Sequence, residues 1–305
     1  MDRKQIEKLL AQLQAQRNSM GLGDFLGLSP GQMHIILCGS LEDIRPILSF
    51  NPEFDKALLA DVPVVTHATL LIKLIAEAGE AKATQNGFLP KKIVNVLCEP
   101  HPMPVYSVQS EEYEPRVLAL RHAVTACGWL KKKNRKFSLT KKGQLIFEKG
   151  FTPYDYARLL QYWLRSYRWS FADRYPECPI IQQAAVFSLY ILRQEGRELI
   201  PSKRIAELFM RAFPTSLDML RDKIFVERPP EEELAAILRL RFLERFAAYF
   251  GLVNYSVDLG LSFFERDERS QVVLTKLFSE VLCWFGDDKL GSGQMPDDGD
   301  DQVWH

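Results

Sequence analysis

Cys127-Gly128-Trp129-Leu130, then Lys131-Lys132-Lys133-Asn134-Arg135-Lys136, then Phe137-Ser138-Leu139-Thr140-Lys141-Lys142-Gly143 is the run that decides the fold. Gly128 reads as a helix end, because glycine accepts the left-handed backbone that follows a last helical turn. Trp129-Leu130 and Phe137-Ser138-Leu139 read as two short strands around a basic turn. Thr140 can cap a closing helix that runs to about Gly150.

Three helices precede this ribbon. The one nearest to it starts at Pro115 and carries Val117, Leu120, Val124 and Cys127 on one face. The first starts at Thr66, buries Leu70, Leu71, Leu74 and Ile75, and stops near Gly79. Gly87-Phe88-Leu89-Pro90 leads into the second, with Ile93, Val94 and Leu97 inward. Between the second and third, Glu99 to Glu114 is Pro-rich and aperiodic, a loop longer than a compact helix-turn-helix uses. Three helices and a β-hairpin in this order form the layout of a winged helix.

A second copy of the order follows. A helix runs from about Ile181 to Gln194, and Leu199-Ile200-Pro201-Ser202-Lys203-Arg204-Ile205-Ala206 parallels Phe88 to Val94. A connection through Pro214, Pro229 and Pro230 leads to a helix from Glu231 to Phe250, which ends at Gly251-Leu252-Val253 as the earlier one ends at Gly128-Trp129-Leu130. Val273-Leu274-Thr275-Lys276 then matches Ser138-Leu139-Thr140-Lys141. Recurrence of the same features in the same order is the mark of a structural repeat.

Outside the repeats, Asp2 to about Arg17 is an amphipathic helix carrying Ile6, Leu9, Leu10 and Leu13, ended by Gly21 and Gly23. Ser29-Pro30-Gly31-Gln32 is a capping box opening a helix to Cys38. Asn51-Pro52-Glu53 opens another, to about Ala60. Thr152-Pro153-Tyr154-Asp155 starts a helix with Tyr156, Leu159, Leu160, Trp163 and Leu164, and Tyr167 to Pro179 is aromatic and irregular. The tail from Asp287 is rich in Gly and Asp and reads as mobile. The reading is a mainly α chain: an N-terminal helical region (1–65), a first winged-helix-like unit (66–150), an aromatic helical linker (151–180), a second winged-helix-like unit (181–286) and an acidic tail (287–305).

Bulk properties narrow the function. Lys+Arg and Asp+Glu are both 39 in 305 residues, so any polyanion contact must come from a local patch. Hydrophobic residues at 47% and charged residues at 26% argue for a packed core and against global disorder. The cysteines Cys38, Cys98, Cys127, Cys178 and Cys283 form no C-x-x-C pair, which reads as reduced thiols. No apolar run reaches membrane-spanning length and the first residues are charged, so the expectation is a cytoplasmic protein with no membrane partner.

At Gly87-Phe88-Leu89-Pro90-Lys91 and Leu139-Thr140-Lys141-Lys142-Gly143 the sequence resembles an uncharacterised bacterial family. Gly27-Leu28-Ser29-Pro30-Gly31-Gln32-Met33-His34 and the aromatic segment Tyr167 to Gln182 are similar to segments of that family and of plasmid-borne proteins of unknown function. The likeness spans roughly residues 24 to 195, and its motifs are caps and turns. It implies a mostly helical fold with winged-helix-like parts and brings no activity or site residues. Phe88 departs from the polar residue the family pattern leads one to expect there.

The candidate nucleic-acid contacts are Lys131, Lys132, Lys133, Arg135 and Lys136 on the hairpin, Lys141 and Lys142 beside it, Lys91 and Lys92 on the second helix, and Arg121 at the edge of the third. Cations on a wing gain counterion-release free energy on phosphates. The competing reading is a solvated turn whose lysines protect short strands from edge pairing. The outward face of the third helix (Leu118, Ala119, His122, Thr125, Ala126) is poor in the Arg, Asn and Gln that read bases. The helix from Glu231 to Phe250 is apolar on most sides, which predicts burial, with Arg239, Arg241 and Arg245 paired to acids or snorkelling. Tyr162, Trp163, Tyr167, Arg168, Trp169, Phe171 and Tyr175 fit either a ligand platform or a packed core.

Cys98 and His101 have a ligand-like spacing without a second pair, so no metal is expected. Glu111, Glu112 and Glu114 read as a solvated acidic loop. Ser170, Asp173 and Cys178 lack a histidine or an elbow motif, and no phosphate-binding glycine motif occurs. The expectation is therefore a non-enzymatic protein without cofactor. It would contact double-stranded DNA through a basic wing, or else act as a homodimeric or partner-binding scaffold.

Overall fold

The Thr140 hydroxyl closes the decisive run. It donates to the Gly128 carbonyl at 2.6 Å, its own N–H donates to Trp129 at 3.1 Å, and the Gly143 N–H donates back to the hydroxyl at 3.1 Å. Thr275 repeats the clasp: its hydroxyl donates to Gly251 at 2.6 Å, its N–H to Leu252 at 3.1 Å, and the Phe278 N–H returns at 3.3 Å. Gly128 and Gly251 both stand at positive φ, 76° and 67°, directly before each clasp. The computed structural model describes residues 3–98, 110–171, 173, 175–221, 229–256 and 269–284.

The chain is mainly helical with small antiparallel sheets. The order is α1 (Arg3–Ser19), α2 (Pro30–Cys38), β1 (Leu48–Phe50), α3 (Pro63–Ala78), β2 (Ala81–Lys82), α4 (Lys91–Cys98), α5 (Pro115–Ala126), β3 (Leu130–Lys133), β4 (Lys136–Leu139), α6 (Lys141–Lys149) and α7 (Pro153–Arg165). Then come α8 (Pro179–Gln183), α9 (Ala185–Glu195), β5 (Ile200–Pro201), α10 (Ser202–Ala212), α11 (Thr215–Arg221) and α12 (Pro230–Leu238). A π-helical stretch, Arg239–Ala248, precedes β6 (Val253–Ser256), β7 (Gln271–Leu274), α13 (Lys276–Val281) and β8 (Leu282–Trp284).

The two three-stranded sheets share one topology, β2-β4-β3 and β5-β7-β6, each with the last strand in the middle. Leu130 faces Leu139 in the first ribbon and Val253 faces Leu274 in the second, so the two ladders have the same register counted from the clasp outward. The first ribbon turns through Asn134 and Arg135, both at positive φ (51° and 58°), the geometry of a two-residue hairpin loop.

Several boundaries follow the sequence closely. The capping boxes at Ser29 and Thr152 are both formed, each with proline in the first turn. Thr140 caps α6 and Pro115 starts α5. Other expectations are corrected. Asn51 to Ala60 is no α-helix, only a 3-10 turn at Lys56–Leu59. The Asn51 N–H and side chain donate to the carbonyls of Val281 and Glu280, which holds this segment extended beside the chain's far end. Just before it, β1 pairs antiparallel with β8, so the N-terminal region is not purely helical. The helix foreseen over 181–194 breaks at Ala184 into α8 and α9, and the helix foreseen over 231–250 widens into π geometry from Arg239. The connection 99–109, residues 222–228 and 257–268, and the acidic tail lie outside the described residues.

The core is continuous. Tyr156, Phe209, Phe242, Phe246 and Phe250 are fully buried, and Trp163 packs on Phe250 and Tyr249 at ring-centroid distances of 5.5 and 5.6 Å. The Tyr156 hydroxyl donates to Phe250 at 2.6 Å, tying α7 to the end of the π-helical stretch.

Candidate nucleic-acid interface

Side chains opposite one another across an antiparallel pair share a face, and faces alternate along each strand. Phe137, Leu130 and Ala81 are buried on the inner face of the first sheet. The register places Lys131 opposite Ser138, Lys133 opposite Lys136, and Lys82 opposite Lys136 on the outer face. Four lysines therefore share one exposed face. Lys82 was not among the sequence candidates. It sits in a two-residue strand, too short to show a period.

The sequence candidates separate into two groups. Lys136 donates to Glu80 at 2.6 Å. Lys132 donates to the Gly87 carbonyl at 2.9 Å and lies 5.7 Å from the Phe137 ring centroid. Arg135 donates to the Thr84 carbonyl at 3.1 Å. These three brace the ribbon against the segment between α3 and α4, although all remain at the surface. By contrast, the side chains of Lys82, Lys91, Lys92, Lys131, Lys133 and Lys141 are exposed and make no hydrogen bond or ion pair with a described residue. Lys142 is exposed beside Lys141.

Arg121 belongs to neither group. It is buried, its guanidinium pairs with Glu111, and it lies 5.6 Å from the Phe137 ring centroid. Glu111 is fully buried rather than solvated, and its other carboxylate oxygen accepts from the Leu89 N–H at 2.5 Å. A charge at the helix edge reads as solvent-facing in the sequence, but the segment before α5 folds an acid over it. Arg121 is accordingly left out of the interface. Leu118 and Ala119, expected on the outward face of α5, are also buried, because α3, α4 and α7 all pack on this helix. His122 and Ala126 remain exposed on it.

The second ribbon presents Pro201, Asn254, Ser256, Gln271 and Val273 on the face equivalent to Lys82, Lys131, Lys133, Lys136 and Ser138. No cation stands there. The π-helical stretch behind it is buried, as its apolar circumference predicted, and two of its three arginines are closely paired: Arg239 with Glu244 at 2.5 Å, and Arg241 with Asp173 at 2.6 and 3.0 Å, while Arg245 lies 4.0 Å from Asp173.

The aromatic segment is packed. Trp169 donates to the Trp163 carbonyl at 2.8 Å and lies 4.9 Å from Phe246, and Gln182 accepts from the Trp169 N–H while donating to Tyr167. Burial pushes the Cys98 thiol up to about 11 and the Cys127 thiol up to about 12, so neither supplies thiolate near neutrality. No group of metal-ligating side chains occurs among the described residues, where His101 is not included. No described helix is long and apolar enough to cross a membrane. No family model, curated protein or solved structure matches the chain.

Proposed function

We propose that residues 66–150 and 181–286 are two winged-helix units, and that the first is a nucleic-acid-binding module contacting phosphates through its lysine-faced wing. The protein is non-enzymatic in this reading. The duplex contact is made by Lys82, Lys131 and Lys133, flanked by Lys91, Lys92, Lys141 and Lys142. Contacts to phosphate of this kind carry affinity and register but little base information, so sequence preference is weak.

The observation that carries the reading is the contrast between equivalent ladder positions. If lysines were needed only to protect the short strands, the second ribbon, with the same strand order, would need them too. It has none. A second support is that Lys91, Lys92, Lys141 and Lys142 stand in the first turns of α4 and α6. Cations there oppose the helix dipole, so helix stability does not explain them, whereas phosphate at a helix N-terminus is favoured.

The test is fluorescence anisotropy with a labelled duplex at low salt, using wild type and the triple variant Lys82→Ala, Lys131→Ala, Lys133→Ala. Wild type binds, and the variant loses on the order of tenfold or more in affinity. Absent binding, or equal binding by the variant, refutes the reading. A second reading, a scaffold that dimerises, is favoured by α1, which exposes Ile6, Leu9, Leu10 and Leu13 along its length. A monomeric mass in solution removes its homodimer form.

A further inference from the structure

A partly open cavity of about 170 Å³ lies between the helices, and neither ribbon uses it. Its walls are Trp163, Tyr167, Trp169 and Tyr249, with the starts of α3 and α5 at one side and the π-helical stretch at the other. We propose that this cavity binds a small planar carboxylate of the benzoate class, with its ring between the aromatic walls and its carboxylate on the Arg245 guanidinium.

Size and shape favour one ring. An apolar cavity of about 150 Å³ accepts benzene. The additional space here suits a carboxylate, and three of the aromatic walls are buried, with Trp163 and Trp169 each 3% exposed and Tyr249 7%, while the Pro63 side is open to solvent. Flat aromatic walls favour a planar π-system over a compact tetrahedral anion.

Charge selects the polar end. Three arginines line the cavity, Arg116, Arg241 and Arg245, against one carboxylate, Glu244. Glu244 is held by Arg239, and Arg241 is held by both oxygens of Asp173 and by the Pro176 carbonyl at 2.9 Å. Arg245 differs. Its nearest acid is Asp173 Oδ2 at 4.0 Å, and that oxygen already accepts from Arg241. The Arg245 guanidinium makes no hydrogen bond to a described residue. Its side chain is 22% exposed, and burial pulls the guanidinium below its ordinary value, partly offset by Asp173. A desolvated fork of N–H donors beside an aromatic slot matches a planar carboxylate. A cation would be repelled by it, and a neutral ring would gain nothing from its charge.

Isothermal titration of the full chain compares benzoate, the neutral benzamide and the ringless acetate. Benzoate saturates one site, and the other two bind at least about tenfold more weakly. Arg245→Met weakens benzoate by about tenfold or more while leaving benzamide unchanged, a pattern that a folding defect would not give. Ala248→Leu, which narrows the cavity from the π-helical side, weakens both ring compounds. No saturable benzoate binding up to about 10 mM, equal affinity for benzamide, or benzoate binding untouched by Arg245→Met overturns the proposal. If Arg245→Met does not fold, undiminished benzoate binding by Ala248→Leu overturns it.

Discussion

The two ribbons have the same strand order, the same threonine clasp and the same glycine before it, yet they differ in what they show to solvent. The first presents Lys82, Lys131, Lys133 and Lys136; the second presents Pro201, Asn254, Ser256 and Gln271. The lesson is that the backbone architecture is specified by the clasp and the inner face, so the outer face is free to carry something else. Helix α5 and the π-helical stretch repeat the theme from inside. Each holds a buried arginine against an acid from a neighbouring segment, Arg121 on Glu111 and Arg241 on Asp173.

Breaking those buried pairs gives the largest effects. Asp173→Asn and Glu111→Gln each leave a desolvated guanidinium poorly compensated, at a cost of about 3–5 kcal/mol in urea unfolding. A loss under about 1 kcal/mol in either would mean that the pair does not fix its helix. The clasp comes next and should respond asymmetrically. A Cβ on Gly143 would meet the Trp129 carbonyl oxygen at 2.0 Å, whereas the equivalent position in the second clasp is the buried Phe278. Phe278→Ala then costs about 3–5 kcal/mol through a cavity, and Gly143→Ala about 1–3 kcal/mol through overpacking.

A smaller effect sharpens the contact between the halves. The His67 ring on α3 hydrogen-bonds the Tyr249 hydroxyl at 3.1 Å. Burial, then the nearby Arg116, lowers its pKa from the ordinary 6.5. The unfolded chain therefore takes up the proton first as pH falls. The stability due to His67 is whole above pH 6.5 and declines as pH drops below that value. Thermal melts from pH 7.5 down to about 5.5 should fall for wild type and fall less for His67→Gln; parallel curves would remove His67 from the account. The smallest effect lies in the turn. Arg135 sits at φ 58°, so Arg135→Gly gains up to about 1 kcal/mol if its bond to Thr84 is dispensable, and loses stability if that brace matters more.

Features written in local chemistry were legible in the sequence. Ser29, Thr140 and Thr152 act on amides three residues away, and the glycines at 128 and 251 stand at the backbone conformation they allow, so the pattern alone located them. Features that depend on distant partners were not. Strand β1 exists because it meets β8, more than 200 residues later, and no three-residue run reveals that. Glu111 reads as part of a solvated acidic run and Arg121 as a solvent-facing charge, because nothing local in the sequence shows that the two meet. The basic face was visible as composition. Its division into bracing cations (Lys132, Arg135, Lys136) and unengaged ones (Lys131, Lys133) required the register, as did the addition of Lys82.

The central claim is that the outer lysines of the first ribbon meet a phosphate backbone. It is tested most directly by the salt dependence of duplex affinity. Each phosphate neutralised contributes a slope of about −0.9 in log K against log salt, so removing Lys82, Lys131 and Lys133 together should reduce the slope by roughly 2 to 3. The variant Asn254→Ala, Ser256→Ala in the second ribbon should leave the slope unchanged. Identical slopes for wild type and the lysine variant, or a slope that moves with the second ribbon instead, would contradict the account.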